Sequence, residues 1–99
     1  MSQARPLAAD CDDHHLTVTL ADGRVPRTPL WWDPRLLAAT AEQRSQVGLS
    51  PLGMHWAEID EDISVASMLR GSKAPGAIEP GPQPAARVVR NAISTATRI

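Results

Sequence analysis

Four acidic side chains fall within five residues near the middle of the chain. Asp60, Glu61 and Asp62 are consecutive, and Glu58 lies just upstream. Two spaced carboxylates with a nearby histidine are what a Mg²⁺-dependent hydrolase uses, so Asp60, Asp62 and His55 form one candidate site. Two other roles suit the same carboxylates: acidic side chains stabilise the start of a following helix, and an acidic surface binds basic proteins.

Cysteine and histidine, the other residue types with reactive side chains, form no second candidate site. The single cysteine, Cys11, lies between Asp10 and Asp12, and neighbouring carboxylates disfavour the thiolate that a nucleophile requires. His14 and His15 are adjacent on a predicted strand, so their side chains point to opposite faces and do not share a metal ion. No glycine-rich phosphate loop or basic cradle accompanies the acidic residues either, so we predict no catalytic residue, no metal site and no cofactor.

Tryptophan is the only aromatic residue type in the chain apart from histidine. There are three tryptophans and no phenylalanine or tyrosine, so each tryptophan contributes much of the buried area. We expect Trp56 in the core. Trp31 and Trp32 are neighbours, and we expect one of them to be buried and the other exposed. We choose Trp32 as the exposed residue, because an exposed tryptophan is a strong anchor when a protein partner binds.

Charge is divided unevenly along the chain, although the net charge is only −1. Between residues 10 and 71, ten carboxylates oppose five arginines, which gives −5. From residue 72 onward one acidic residue, Glu79, opposes four cations, which gives a net charge of +3; the cations are Lys73, Arg87, Arg90 and Arg98. An acidic unit is therefore followed by a basic segment, and only that segment has the charge to bind nucleic acid.

The first half of the sequence predicts a β-hairpin. Leu16, Val18 and Leu20 alternate with polar residues across 14–20, which is typical of a strand with one buried face. Asp22-Gly23 suits a tight two-residue turn. The return strand, residues 24–30, contains two prolines, which confine it to the edge of a sheet or to a short pairing.

A helix, a strand and a second helix follow. The first helix begins after Asp33, with proline at its first position, and continues to Gly48. Residues 53–59 predict a strand. The second helix spans about 65–70, with Ser64 as its N-cap and Gly71 as its end. The order strand, strand, helix, strand, helix predicts a small α+β domain.

Two arginines on the first predicted helix are candidates for contacts across the fold. Arg35 and Arg44 are nine residues apart, on roughly opposite sides of a helix, so they do not form a phosphate clamp. We expect both to face outward, and Arg35 to pair with Asp60 or Asp62.

Proline content marks the predicted domain boundaries. We predict a folded α+β domain over residues 10–71 and a Pro/Gly-rich linker over 72–86, since four prolines there exclude a helix or a central strand. Residues 87–99 form a basic tail that is either disordered or ordered by a partner.

Several short motifs together resemble a known bacterial family. They are Trp32-Asp33-Pro34-Arg35-Leu36, Ala39-Thr40, Gln43-Arg44, Gly53-Met54-His55-Trp56, Ile59-Asp60-Glu61-Asp62-Ile63-Ser64-Val65 and Leu69-Arg70-Gly71. This combination, within residues 14–71, resembles domain of unknown function 2442, whose fold is similar to the N-terminal domain of a Nitrosomonas protein. Ala57 departs from the family, which usually has proline there. The resemblance implies no catalytic residues; some members accompany small toxin-like proteins and are proposed as antitoxins, and others are fused to helix-turn-helix segments.

Three hypotheses for function follow. The favoured one is a non-enzymatic interaction module that binds a basic protein partner; the residues proposed to contact it are Trp32, Glu58, Asp60, Glu61 and Asp62. The family resemblance implies that such a module is an antitoxin-like regulator. The second is a nucleic-acid-binding protein that acts through tail residues Arg87, Arg90 and Arg98 while the folded unit forms a homodimer. The third is the metal-dependent hydrolase. With no signal peptide and no long apolar segment in the sequence, we expect a cytoplasmic protein without a membrane span.

Overall fold

Two small antiparallel sheets form the framework of the computed structural model, which describes residues 4–81. The first sheet contains β1 (Pro6–Cys11), β2 (His15–Leu20) and β3 (Arg27–Pro29) in the order β1-β2-β3. Leu16, Val18 and Leu20 are 0 to 1% exposed, as the alternating pattern predicted. Strand β3 is short and lies at an edge, also as predicted.

Two details of this sheet differ from the prediction. The tight turn after β2 contains three residues, 21–23, because the Leu20 amide donates to the Arg24 carbonyl; Gly23 in this turn has a φ of +94°, and β3 begins at Arg27. Strand β1 was not predicted: its sequence, PLAADC, lacks the apolar alternation that reveals a strand, and pairing with β2 holds it in place.

The second sheet contains β4 (Gly48–Leu49), β5 (Gly53–Trp56) and β6 (Glu61–Ser64) in the order β4-β5-β6. The predicted strand 53–59 is shorter than expected, because residues Ala57–Ile59 form a 3-10 turn. The prediction missed β6, whose acidic residues disfavour strand formation in isolation but pair with β5 here.

The predicted helix up to Gly48 is wrong in its length. The structure has two five-residue helices instead, α1 (Pro34–Ala38) and α2 (Ala41–Ser45). Between them Thr40 caps α2: its hydroxyl accepts a bond from the Gln43 amide, and the Gln43 side chain accepts one from the Thr40 amide. This reciprocal capping starts a new helix at a position where the sequence pattern alone continues the first one.

The bounds of the last helix agree with the prediction. Ser64 is the N-cap of helix α3 (Val65–Arg70), and its hydroxyl accepts a bond from the Ser67 amide. The helix ends at Gly71, which has the left-handed conformation with φ +77°. The core lies between the two sheets and the helices; its buried members are Leu16, Val18, Leu20, Leu30, Leu36, Met54, Trp56, Ile63, Val65 and Met68. The chain is thus the α+β domain that the sequence predicts.

Residues 72–81 contain no helix or strand, and the first of them fold back on the domain. The Ala74 amide donates to the Trp32 carbonyl at 2.9 Å, and the Ser72 amide donates to the Ser67 carbonyl at 3.0 Å. This part of the predicted linker is therefore anchored at two points. The rest of the linker, 82–86, and the tail with Arg87, Arg90 and Arg98 lie outside the described residues, so the predictions for them stay predictions.

Candidate functional site

The four predicted acidic residues lie along one edge of the second sheet. Glu58 is on the 3-10 turn, Asp60 follows it, and Glu61 and Asp62 belong to β6, which is an edge strand. We call these four residues the acidic edge. They do not form a helix-capping turn before α3, as one alternative held: Glu61 and Asp62 are paired in β6, and Ser64 is the N-cap of the helix.

Asp60 contacts Arg35, which was predicted to pair with either Asp60 or Asp62. Arg35 Nη1 donates to the Asp60 carbonyl at 2.5 Å and lies 3.9 Å from its carboxylate oxygen Oδ2. Asp60 itself has a left-handed backbone, with φ +54°, which an aspartate tolerates better than most residues. The Asp60 side chain is 89% exposed, so its charge is directed largely at solvent.

Asp62 pairs with His55 across the two strands. The two residues are register partners on β5 and β6, and His55 Nδ1 lies 2.6 Å from Asp62 Oδ1. Asp60 is directed to Arg35 instead, and among residues 4–81 no three histidine, cysteine or acidic side chains are grouped so that they could hold a metal ion. The structure therefore does not assemble His55, Asp60 and Asp62 into the trio of the hydrolase hypothesis.

Glu61 faces a second carboxylate, Asp33, in a cavity of about 240 Å³ between β6 and residues 72–75. Partial burial, with a contribution from Glu61, raises the pKa of Asp33 from 3.8 to about 6. Burial also raises the pKa of Glu61; Asp62 and Asp60 add to this, and Arg35 opposes it. Asp33 precedes α1 as predicted, but its side chain forms no capping hydrogen bond.

Asp33→Asn is expected to stabilise the protein at pH 7. Folding raises the pKa of Asp33, so the folded state binds more protons than the unfolded state between pH 3.8 and about 6, and stability from this group falls as pH rises through that window. Discounted for partial solvent exposure, the gain in the free energy of unfolding is about 1 kcal/mol. Urea denaturation at pH 7 and pH 3 measures it; an equal gain at both pH values would contradict this origin.

The tryptophan pair differs from the prediction of one buried and one exposed ring. Trp31 and Trp32 lie on a 3-10 turn, Leu30–Trp32, and both are half-buried. Their rings are edge-to-face with centroids 6.3 Å apart. One buried and one exposed ring would require neighbouring side chains to alternate between two faces, as they do in a strand. Successive side chains of a 3-10 turn do not alternate in this way. Trp56 is 1% exposed, as predicted.

Arg44 is the structurally important residue that the sequence did not reveal. It was predicted to face outward, yet only 11% of its side chain is exposed. Its Nε donates to the Leu36 carbonyl at 3.0 Å and its Nη2 to the Leu37 carbonyl at 2.9 Å. Its own carbonyl accepts a bond from Trp56 Nε1 at 3.0 Å. The Thr40 cap, which redirects the chain after α1, is the signal that could have indicated this inward position.

The Cys11 thiol is unsuited to nucleophilic chemistry, in agreement with the expectation from its acidic neighbours. Burial is the main cause that raises its pKa to about 11; Asp12 and Asp10 add to the effect, while Arg44 opposes it. At neutral pH the side chain is therefore the unreactive thiol.

Charge compensation at the acidic edge is sparse. Within residues 4–81, the arginine that lies near its carboxylates is Arg35, which contacts Asp60 and acts on Glu61 and whose side chain is 62% exposed. In the described part of the chain, the Glu58 carboxylate accepts a bond only from the Gln43 side-chain amide, at 3.3 Å. Such a surface carries a negative potential that attracts cationic groups.

A family model described as "Protein of unknown function (DUF2442)" matches residues 8–74. The chain belongs to this family. DUF2442 is the family that the motifs of residues 14–71 resemble, and the match extends into β1, from residue 8, and over the first residues after α3. No curated protein is significantly similar to the chain.

Two solved structures share the fold. One is the crystal structure of a protein of unknown function from Rhodospirillum rubrum, 24% identical, with a TM-score of 0.66 over 77% of this chain and 96% of that one. The other is the solution structure of an uncharacterized protein from Chromobacterium violaceum, 20% identical, with a TM-score of 0.63 over 73% of this chain and 70% of that one.

Within residues 4–81, no helix is long and apolar enough to cross a membrane.

Proposed function

We propose that this DUF2442 domain is a non-enzymatic interaction module that binds a basic protein partner through the acidic edge. The observation that carries the proposal is the excess of carboxylates over cations along β6. Asp60 and Asp62 are 89% and 76% exposed, and their partners are an exposed arginine and a histidine. Exposed charges of one sign steer an oppositely charged partner and fix its orientation.

The position of the acidic residues on an edge strand supports this role. Strand β6 pairs with β5 on one side, and on its other side lies the cavity that Glu61 shares with Asp33. Basic side chains of a partner that lie along this edge reach Glu58, Asp60 and Asp62, as well as the carboxylates of the cavity. Each ion pair replaces carboxylate repulsion by attraction.

An antitoxin-like regulator is the specific form of this proposal. Its mechanism is occlusion: the acidic edge covers a basic site that the partner needs for its own activity. This form accords with the association of some family members with small toxin-like proteins. This mechanism requires neither a metal ion nor a catalytic group, because the protein acts by binding alone.

Asp62→Lys is expected to weaken binding of an octalysine peptide to the full chain about tenfold at low salt, because a repulsive charge replaces an attractive one. Isothermal titration calorimetry measures the dissociation constant. Asp10→Lys is the matched control, since Asp10 is also an exposed aspartate on an edge strand, β1, and its reversal changes the net charge equally. We expect it to change the constant less than about threefold. Equal losses in the two variants would mean that net charge, and not the acidic edge, attracts the peptide.

A further inference from the structure

A lysine of this chain already lies on the tryptophan pair. Lys73 Nζ is 4.6 Å from the centroid of the Trp32 ring and 5.9 Å from that of Trp31. Both distances are within the range in which an ammonium is attracted to an aromatic face. Trp31 and Trp32, which we call the tryptophan platform, therefore accept a cation in the structure itself.

The backbone on both sides of Lys73 is hydrogen-bonded to the domain, whereas its side chain forms no hydrogen bond within residues 4–81. The Ser72 and Ala74 amides donate to carbonyls of the domain, and Gly71 makes the turn that brings the segment to the platform. Lys73 itself is an exposed residue and, within residues 4–81, forms no ion pair. Its ammonium can leave the tryptophan platform by side-chain rotation, with no change in the backbone bonds.

Carboxylates lie beside the platform. Lys73 also lines the cavity that contains Asp33 and Glu61, so one side chain borders both the aromatic rings and the two acids. In the described part of the chain neither Asp33 nor Glu61 forms an ion pair. Aromatic faces next to carboxylates that form no ion pair favour a cationic ligand on both counts.

We propose that the tryptophan platform, with Asp33 and Glu61, binds a lysine or arginine side chain of the partner, and that Lys73 occupies this position in the free protein. The inference rests on the proposed function and deepens it, because it names the anchor point of the basic partner. When the partner binds, its cation displaces the Lys73 ammonium from the rings. The partner's cation then contacts the carboxylates of Asp33 and Glu61, and the Lys73 side chain moves into solvent.

Lys73 consequently competes with the partner. A cation over an exposed aromatic face contributes an amount that corresponds to roughly a two- to fivefold change in an equilibrium constant. Lys73→Ala removes this competitor and is expected to tighten binding of the octalysine peptide by that factor. Arg70→Ala is the control, since it removes the same charge from the end of α3, and Arg70 contacts neither ring of the platform in the described chain.

The three tryptophans allow a direct spectroscopic test. Each indole N–H gives one signal in a ¹H–¹⁵N correlation spectrum of the full chain, and Trp56 is an internal control because its buried indole is bonded to the Arg44 carbonyl. On titration with octalysine we expect the Trp31 and Trp32 signals to shift and that of Trp56 to stay. The midpoint is expected at a lower peptide concentration in Lys73→Ala than in wild type or Arg70→Ala.

Two other results would overturn the inference in distinguishable ways. If calorimetry detects peptide binding that Asp62→Lys weakens, but the Trp31 and Trp32 signals do not move or Arg70→Ala tightens binding as much as Lys73→Ala, the platform is not the anchor and the acidic edge remains the binding surface. If no variant binds the peptide by either method, the proposed function itself is wrong.

Discussion

Arg44→Met is expected to lower the free energy of unfolding by about 3 kcal/mol. Methionine fills much of the space of the arginine stem but cannot donate hydrogen bonds. The carbonyls of Leu36 and Leu37, at the end of α1, would lose the bonds from Nε and Nη2. The Asp12 carbonyl, 3.4 Å from Nη1, would lose a weaker one. The Leu36 carbonyl keeps its bond from the Ala39 amide, but the arginine is only 11% exposed, so the loss of its bonds costs more than the loss of a surface ion pair.

Urea denaturation of the variant measures this loss against a matched control. Arg35→Met removes an arginine that also bonds to a carbonyl, that of Asp60, but from a side chain that is 62% exposed. We expect that control to cost less than about 1 kcal/mol, because water replaces the lost donor. Equal losses in the two variants would show that the burial of Arg44 contributes nothing to stability.

Gly53→Ala is expected to be at least as damaging, with a loss of about 3 kcal/mol or failure to fold. Gly53 begins β5 and is the register partner of Ser64 on β6. A Cβ atom at this position would overlap the Ile63 carbonyl oxygen and lie 2.8 Å from the Ser64 Cα atom. Both are backbone atoms of the neighbouring strand, so no side-chain rotation relieves the overlap, and β6 must move away from β5.

Gly48→Ala, in the same sheet, is the control for this prediction. A Cβ atom at residue 48 would meet only the His55 carbonyl, at an ordinary 3.7 Å. We expect it to change the free energy of unfolding by less than about 1 kcal/mol. Thermal unfolding of the two variants, followed by circular dichroism, separates the effect of the close strand approach from the general effect of adding a methyl group. Similar melting temperatures would contradict the close packing of β5 on β6.

Local signals predicted those parts of the fold that depend on neighbouring residues. The alternation of Leu16, Val18 and Leu20, the Ser64 cap and the Gly71 end of α3 are each contained in a few residues, and the structure confirms them. Strands β1 and β6 were missed because their stability comes from pairing with β2 and β5. Such pairing is tertiary information, and it overrides the weak strand propensity of an acidic segment.

The candidate site was predictable in its composition and not in its arrangement. The acidic residues, and the pairing of Arg35 with either Asp60 or Asp62, followed from the sequence, since both depend on residue type and charge; the choice of Asp60 did not. The inward turn of Arg44 and the position of Lys73 on the tryptophan platform depend on how the chain bends after α1 and α3. A capping box at Thr40 and a left-handed glycine at position 71 determine those bends.

The most direct measurement of the central claim is to map the octalysine contact on the full chain by backbone amide shifts. We expect the largest shifts at residues 57–62 and next to the cavity of Asp33 and Glu61. We expect little change around Asp10, on β1, and Asp22, in the turn after β2, which are acidic but belong to the other sheet and its turn. Shifts spread evenly over all acidic residues, or concentrated on the first sheet, would contradict the account of the acidic edge as the partner-binding surface.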